Sequence, residues 1–205
     1  MKKTNLLLAT LLIIGPLSSI QSQDKFSKRK IANLKQEVSQ LVEQDKKMTQ
    51  VMIDKVFSFG ELGFQEFETS KYLSKILEEN GFDIEYQISG IPTSWLATWS
   101  NGEGGPTIAL GSDFDGVPST SQYPGVAYEK PVVEGAPGHG EGHNIGLPIV
   151  ITSAISIKKI MIENNINGTL VLWPGVAEEI LGAKAWYVRD GYFDNVDMCI
   201  FTHVS

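Results

Sequence analysis

Two histidines and a glutamate stand between glycines in residues 138–144, which read GHGEGHN. They are His139, Glu141 and His143, and the chain has only one further histidine, His203. Imidazole nitrogens and carboxylate oxygens are ligands that zinc, manganese and cobalt bind well. Histidine has no conformational preference for a glycine-rich stretch, so the spacing favours a metal-binding loop.

Further acidic residues follow apolar runs that predict strands. Asp113 and Asp115 end TIALGSDFD, Glu178 and Glu179 come just after TLVLWPG, and His203 closes VDMCIFTH. If these runs are parallel strands, their carboxyl ends meet at the edge of the sheet where sites form in open α/β folds. Acids crowded there would repel one another and have raised pKa values, and a pair of divalent ions removes that conflict.

Each of these features also has an explanation without chemistry. Adjacent glutamates at the start of a helix interact favourably with the helix dipole, and Asp-x-Asp at a strand end is often part of a turn. A histidine after a strand commonly makes a surface or core hydrogen bond. The metal-site hypothesis therefore rests on the joint placement of these residues, and on no single motif.

The elements that would position them are predicted from the apolar periodicity. Helical spacing covers residues 28–59 and a second helix that Gly81 ends, and it returns in 145–164 and 178–190. The runs DIEYQI, SWLATW, TIALGSDF, TLVLWPG and VDMCIFTHV predict strands, and a long connection covers residues 116–144. This order predicts an α/β fold, a mostly parallel sheet with helices on both faces.

Composition and the N-terminal residues restrict the partners and the location. Lys+Arg number 17 against 24 Asp+Glu, with a pI near 5.0, which argues against nucleic acid and anionic membrane surfaces as partners. Basic residues and an interrupted apolar stretch in residues 1–22 predict a signal peptide and an exported protein, periplasmic or secreted, without a membrane span. Residues 23–205 then form one domain, in which the single Cys199 is expected to be a buried thiol.

The combination of motifs resembles the co-catalytic metallopeptidase family of aminoacylase, carboxypeptidase G and hippurate hydrolase. Within it, the likeness is greatest to the amidohydrolase branch that includes p-aminobenzoyl-glutamate hydrolases. The segments that carry the likeness are GELGFQEFETSKYLSKILEENGF, SGIPTSWLATW, GSDFDGVPSTSQ, PGHGEGHN and GVAEEILGAKAWYVRDGYFDNVD. The resemblance extends from about Lys28 to the end of the chain.

This resemblance implies a hydrolase with two divalent ions, zinc above all, with manganese or cobalt as alternatives. The substrate would be a small amide, an N-acyl amino acid or an aminobenzoyl-glutamate-like molecule, hydrolysed by a metal-bound water. Glu178 would be the general base, and Asp115 would orient a ligand or support that base. The implied metal ligands are Glu141, His143, Glu179 and His203. The roles of Asp113 and His139 stay open.

Two departures from the family pattern accompany the resemblance. The position of Glu141 usually holds a cysteine that bridges the two metals, and the exchange favours harder ions such as zinc or manganese. The family also has a lid or dimerisation domain, through which its members form homodimers, and a final histidine ligand. The sequence ends two residues after His203, so we expect the N-terminal portion of the catalytic domain. There are two alternatives: a catalytically inactive remnant that keeps part of the metal site, and an unrelated exported α/β binding domain.

Overall fold

The computed structural model describes residues 26–204, and the elements follow the predicted order. The predicted signal peptide, residues 1–22, lies outside the described residues. The helices are α1 (Lys28–Gln44), α2 (Lys46–Phe59), α3 (Phe67–Glu79), α4 (His143–Glu163) and α5 (Lys184–Arg189). The strands are β1 (Asp83–Tyr86), β2 (Trp95–Asn101), β3 (Thr107–Asp113), β4 (Gly168–Gly175) and β5 (Met198–Thr202).

The five strands form one mixed sheet in the order β1-β2-β4-β3-β5. The strands β4, β3 and β5 are parallel, whereas β1 pairs antiparallel with β2 and β2 pairs antiparallel with β4. A parallel pair needs a crossover of about a dozen residues or more, and the connection between β1 and β2 is too short for one. The α/β class is confirmed, and the parallel pairing covers the half of the sheet that carries the candidate ligands.

Helix α4 is the central helix of the fold. It lies against β3 and β4 and is covered by α1 and α2, which explains why it is apolar nearly all round. Among the described residues it is the one helix long and apolar enough to cross a membrane, with mean hydropathy 1.7, but 56% of that window is buried in the fold. It begins two residues earlier than predicted, so Pro148 lies in its second turn.

Helices cover both faces of the sheet, as the sequence predicts. Leu170 and Trp173 of β4 point to opposite faces, because side chains alternate along a strand. Leu170 lines an apolar groove together with Ile157 of α4. Trp173 packs on Tyr187 of α5, with ring centroids 6.1 Å apart, and on Phe201 of β5, at 5.0 Å.

Two helix boundaries show how the local sequence sets the elements. The helical stretch from residue 28 to 59 is two helices, because Asp45 (φ −90°, ψ 6°) breaks the backbone between them. Helix α3 ends where predicted: Gly81 takes the position after the cap with φ +74°, and the Phe82 N–H donates to the Leu77 carbonyl at 3.1 Å.

Two predictions are wrong. Residues 178–190 are not one helix, because Leu181 and Ala183 have positive φ values (57° and 52°) that interrupt the helical backbone. A short 3-10 turn, Glu178–Ile180, comes first, and α5 follows it with six residues. Cys199 is exposed instead of buried. It lies on β5, which within the described residues pairs on one side only, with β3.

Candidate metal centre

The candidate site lies at the carboxyl ends of β3, β4 and β5. Asp113 is the last residue of β3, the turn with Glu178 and Glu179 follows β4, and His203 follows β5. His143 is the first residue of α4 and reaches the same edge from the long connection. The parallel pairing of these strands therefore brings together side chains that are up to 90 residues apart in the sequence.

Two overlapping groups of side chains could each hold a metal ion. In the first group, ligand atoms of Asp113, His143, Glu178 and His203 all lie within 4.8 Å of one another. The Nε2 atoms of His143 and His203 are 3.1 Å apart, and His203 Nε2 lies 4.0 Å from Asp113 Oδ2. Two nitrogens on one tetrahedral zinc at about 2.0–2.1 Å would be about 3.3 Å apart, which is close to the spacing of the two imidazoles.

The second group consists of Glu141, His143, Glu178 and Glu179, again with ligand atoms within 4.8 Å. His143 Nε2 is 3.8 Å from Glu178 Oε2, and His143 Nδ1 is 3.8 Å from Glu179 Oε1. Glu141 Oε2 lies 3.9 Å from His203 Nε2. His143 and Glu178 belong to both groups, so the candidate ligands form one continuous cluster.

The backbone around His143 fixes the orientation of its ring. Gly142, with φ +76°, forms the left-handed cap that lets α4 begin at His143. The Nδ1 atom lies 3.0 Å from the backbone carbonyl of Asp115, and since a carbonyl only accepts, Nδ1 is the donor. In the neutral imidazole Nε2 is then the free acceptor, and it faces Glu178 and His203.

Asp115 links the two halves of the cluster from behind. Its Oδ2 accepts a hydrogen bond from the backbone N–H of Glu179 at 3.0 Å, and its Oδ1 lies 3.4 Å from His143 Nδ1. The side chain is fully buried. Asp115 therefore contacts both a predicted ligand and the turn that carries the predicted base.

Charges in the cluster shift the pKa values of its members. Burial alone would lower the pKa of His143, but the hydrogen bond to Asp115 and the charges of Asp113 and Asp115 outweigh it and raise this pKa to about 9. Burial raises the pKa of Asp113. Burial and the neighbouring charge of Glu141 raise the pKa of Glu179. The contributions of neighbouring acids to the shifts of His143 and Glu179 indicate negative charge in the site that favours a cation, whereas the shift of Asp113 reflects its burial.

Buried carboxylate oxygens without hydrogen bonds are a second reason why these side chains fit a divalent ion. Asp113 Oδ2 and Glu179 Oε1 are buried and accept no hydrogen bond from any residue between 26 and 204. A buried carboxylate oxygen without a donor is costly, and a metal ion is a partner that would satisfy it. Carboxylate and imidazole are also the ligand types that zinc, manganese and cobalt accept.

Not every predicted residue joins the cluster, and one residue was missed. His139 is buried, and its Nε2 hydrogen-bonds the Val56 carbonyl of α2 at 3.1 Å, so it ties the loop to that helix. Lys184 Nζ lies 2.8 Å from Asp113 Oδ1. No signal in the sequence indicated this ion pair, because it depends on the turn between β4 and α5. The assignments of ligands and base stay predictions.

A cavity of about 770 Å³ opens beside the cluster. It is large enough for a small-molecule substrate. Apolar and ligand-type side chains share its walls, which include Phe57, His139, Glu141, Ile145, His203 and Val204.

Comparison with known proteins finds relatives that are named as hydrolases. No model of a protein family matches the chain. A component of the p-aminobenzoyl-glutamate hydrolase of Escherichia coli is 31% identical over 166 residues, which are 81% of this chain and 34% of that protein. Hippurate hydrolase of Campylobacter jejuni is 31% identical over 139 residues, 67% of this chain and 33% of that protein. The chain thus spans about a third of the length of these relatives.

Solved structures show the same fold. A Bacillus subtilis protein, YxeP, described as a dinuclear metal-binding peptidase from the M20 family, has a TM-score of 0.63 at 25% identity and covers 78% of this chain and 44% of its own. An aminobenzoyl-glutamate utilization protein from Klebsiella pneumoniae has a TM-score of 0.59 at 18% identity, covering 82% and 46%. Homologues of this kind extend over about 80% of the chain, which confirms the resemblance found in its motifs. The chain belongs to the M20 family of metallopeptidases and amidohydrolases.

Proposed function

We propose that this chain forms the metal site and supplies the base of a hydrolase that cleaves the amide bond of a small molecule. The substrate class is an N-acyl amino acid or an aminobenzoyl-glutamate-like compound, as the names of the relatives suggest. The observation that carries the proposal is the meeting of Glu141, His143, Glu178 and Glu179 within 4.8 Å, with His203 beside them.

Each residue has a role that its surroundings support. Glu141, His143, Glu179 and His203 would hold two ions, and two bound divalent ions would activate a water molecule and polarise the substrate carbonyl. Glu178 would take a proton from the attacking water and deliver it to the leaving amine. The Glu178 side chain is only partly buried, so it is accessible from the open side of the site. It also belongs to both ligand groups.

Zinc is the ion that we propose, with manganese and cobalt as alternatives. The two imidazole Nε2 atoms, 3.1 Å apart, suit a zinc ion. The remaining donors of both groups are carboxylates, which also suit manganese. The donor set contains no thiolate, because Cys199 is the only cysteine and lies on β5.

The test combines metal content with turnover. The purified chain is loaded with zinc, manganese or cobalt, and amine release is followed from hippurate and from p-aminobenzoyl-glutamate. Glu178→Gln should lower turnover by about 10²–10⁴-fold while metal stays bound, since it removes the proton acceptor. Glu37→Gln, an exposed change on α1, is the matched control and should leave turnover unchanged. Absence of bound ions, or full activity in Glu178→Gln, would refute the proposal.

A second candidate function is metal binding without turnover. It is favoured by the openness of the site, because the side chains of Glu141 and His203 are 54% and 39% exposed. Chemistry of this kind usually takes place in a site that excludes water. Stoichiometric zinc binding together with no amine release from any tested substrate would support this candidate over the first.

We also propose that the protein is exported. The support is the sequence of residues 1–22, in which Met1-Lys2-Lys3 precedes the apolar stretch and polar residues follow it. N-terminal sequencing of the protein from expressing cells should give a mature chain that begins near residue 23. A protein that keeps Met1 and remains inside the cell would contradict the proposal.

A further inference from the structure

Glu66 is a buried carboxylate behind the candidate metal centre, and none of the predicted roles uses it. Its side chain has no exposed surface. Its Oε2 accepts a hydrogen bond from the Thr93 hydroxyl at 2.8 Å, and its Oε1 accepts one from the backbone N–H of Ala177 at 2.9 Å. Glu66 therefore joins three distant segments, namely the start of α3, the residues before β2 and the turn after β4.

Burial of a carboxylate costs free energy, which its hydrogen bonds must offset. Burial raises the pKa of Glu66, while hydrogen bonds that include those from Thr93 and Ala177 lower it. An apolar side chain of similar size would fill the same space without the cost of desolvating a charge. The two hydrogen bonds of Glu66 are therefore the contribution that distinguishes it from a packing residue.

The bond to Ala177 matters because of the backbone that follows. Ala177 has φ 54° and Leu181 has φ 57°, a conformation that residues with a Cβ adopt at a cost. Such a backbone persists only where its surroundings hold it. The Ala177 carbonyl accepts from the N–H groups of Gly182 at 2.8 Å and Ile180 at 3.3 Å, which closes the turn.

Glu178 lies between two anchored peptide groups. Glu66 accepts from the Ala177 amide on one side, and Asp115 Oδ2 accepts from the Glu179 amide at 3.0 Å on the other. Two buried carboxylates thus hold the peptides before and after the predicted base. With both amides held, the backbone position from which the Glu178 side chain extends is constrained.

We propose that Glu66 is a positioning residue, which holds the Ala177 amide and so fixes the turn that directs Glu178 and Glu179 to the metal cluster. The inference rests on the proposed function for what these two glutamates do there. The position of the turn itself can be measured without metal and without substrate.

Two substitutions of Glu66 and one control separate positioning from general stability. Glu66→Met removes both acceptors at similar volume, whereas Glu66→Gln keeps a side-chain oxygen that can accept from Ala177. Thr93→Val is the matched control, because it removes the other hydrogen-bond partner of Glu66 at an equally buried position and leaves the Ala177 amide bonded. Zinc affinity is measured by competition with a chelating dye, and the visible spectrum of bound Co²⁺ reports the ligand geometry.

We expect Glu66→Met to weaken zinc binding about 10–100-fold and to change the cobalt spectrum, the effect typical of residues that support a ligand. Glu66→Gln and Thr93→Val should stay near the wild-type affinity, although Thr93→Val lowers the melting temperature. A wild-type zinc affinity in Glu66→Met, or an equal loss in Thr93→Val, would overturn the proposal.

If neither the wild type nor any variant binds zinc, amide NMR of the metal-free protein tests the positioning role of Glu66. Glu66→Met should move the amide resonances of residues 177–179 and speed hydrogen exchange at Ala177. Glu66→Gln folds with a neutral acceptor, so its Ala177 amide proton should shift upfield, and this comparison suffices if Glu66→Met does not fold. Unchanged resonances at 177–179 in the folded variants would refute the positioning role.

Discussion

In the metal-free protein, His143 is expected to stabilise the fold as a cation, so that stability falls as the pH rises. The ring lies 3.4 Å from Asp115 Oδ1 and 3.8 Å from carboxylate oxygens of Glu178 and Glu179. Although burial opposes its charge, the hydrogen bonds to Asp115 and the charges of Asp113 and Asp115 raise the pKa of His143 to about 9. The folded chain therefore binds this proton more tightly than the unfolded chain does.

The size of the effect follows from the two pKa values. His143 has an ordinary pKa of 6.5 and a folded pKa of about 9, and one pKa unit is worth about 1.36 kcal/mol. The stabilisation of at most about 3 kcal/mol is fully present below the unfolded pKa and is lost as the pH rises through the folded pKa. Between pH 6.5 and 9, the free energy of unfolding should fall by about 2–3 kcal/mol from this group.

The assay is urea unfolding in the presence of a chelator at pH 6.5 and 9, followed by the fluorescence of the four tryptophans. His143→Gln removes the titrating group and keeps a polar side chain, so its stability should depend less on pH by about 2–3 kcal/mol. Added zinc should reverse the trend in the wild type, because a metal ion binds the neutral imidazole and competes with the proton. An equal pH dependence in both proteins would refute the argument that the acids hold His143 protonated.

Three further substitutions test the site, the turn and the core. Asp115→Ala should weaken zinc binding about 10–100-fold in a dye competition, because it frees the Glu179 amide and removes the carboxylate that lies 3.4 Å from His143 Nδ1, although the backbone carbonyl of residue 115 still accepts from that ring. Leu181→Gly should raise the free energy of unfolding by up to about 1 kcal/mol, since Leu181 is 93% exposed and has φ 57°; a loss of stability would contradict the strain argument. Leu172→Ala in β4 should lower it by about 2–5 kcal/mol in urea unfolding, and a loss below about 1 kcal/mol would mean that Leu172 is not a core residue.

The sequence predicted the helices and strands better than the turns and breaks between them. Strands such as TIALGSD and TLVLWPG are largely apolar runs, because a strand covered on both faces leaves none of its side chains fully exposed to solvent. The breaks in the helical backbone at Asp45, Leu181 and Ala183 could not be predicted in this way. None of these residues is a glycine, whose presence would have indicated a break. In the turn after β4, the hydrogen bond from the Ala177 amide to Glu66 is a tertiary contact that the local sequence does not indicate.

The grouping of the candidate ligands could be foreseen because they follow predicted strands or lie in the glycine-rich loop just before a predicted helix. Parallel strands place such positions at one edge irrespective of details of the turns. The supporting contacts could not be foreseen in the same way. Glu66 stands in a segment whose acids resemble an ordinary helix start, and Lys184 reaches Asp113 only because residues 181–183 turn the chain back.

If Glu141 is a metal ligand, as we propose, it affects which metal the site prefers more than whether a metal binds. The residue that the family pattern places there is a cysteine, which binds metal as a thiolate with the same single negative charge as a carboxylate. The exchange therefore preserves the negative charge at this position. It changes the softness of the donor, and carboxylate oxygens favour harder ions than thiolate sulfur does. Because the two Nε2 atoms of His143 and His203 still provide borderline donors 3.1 Å apart, zinc remains compatible with the site while manganese gains relative to more thiophilic ions.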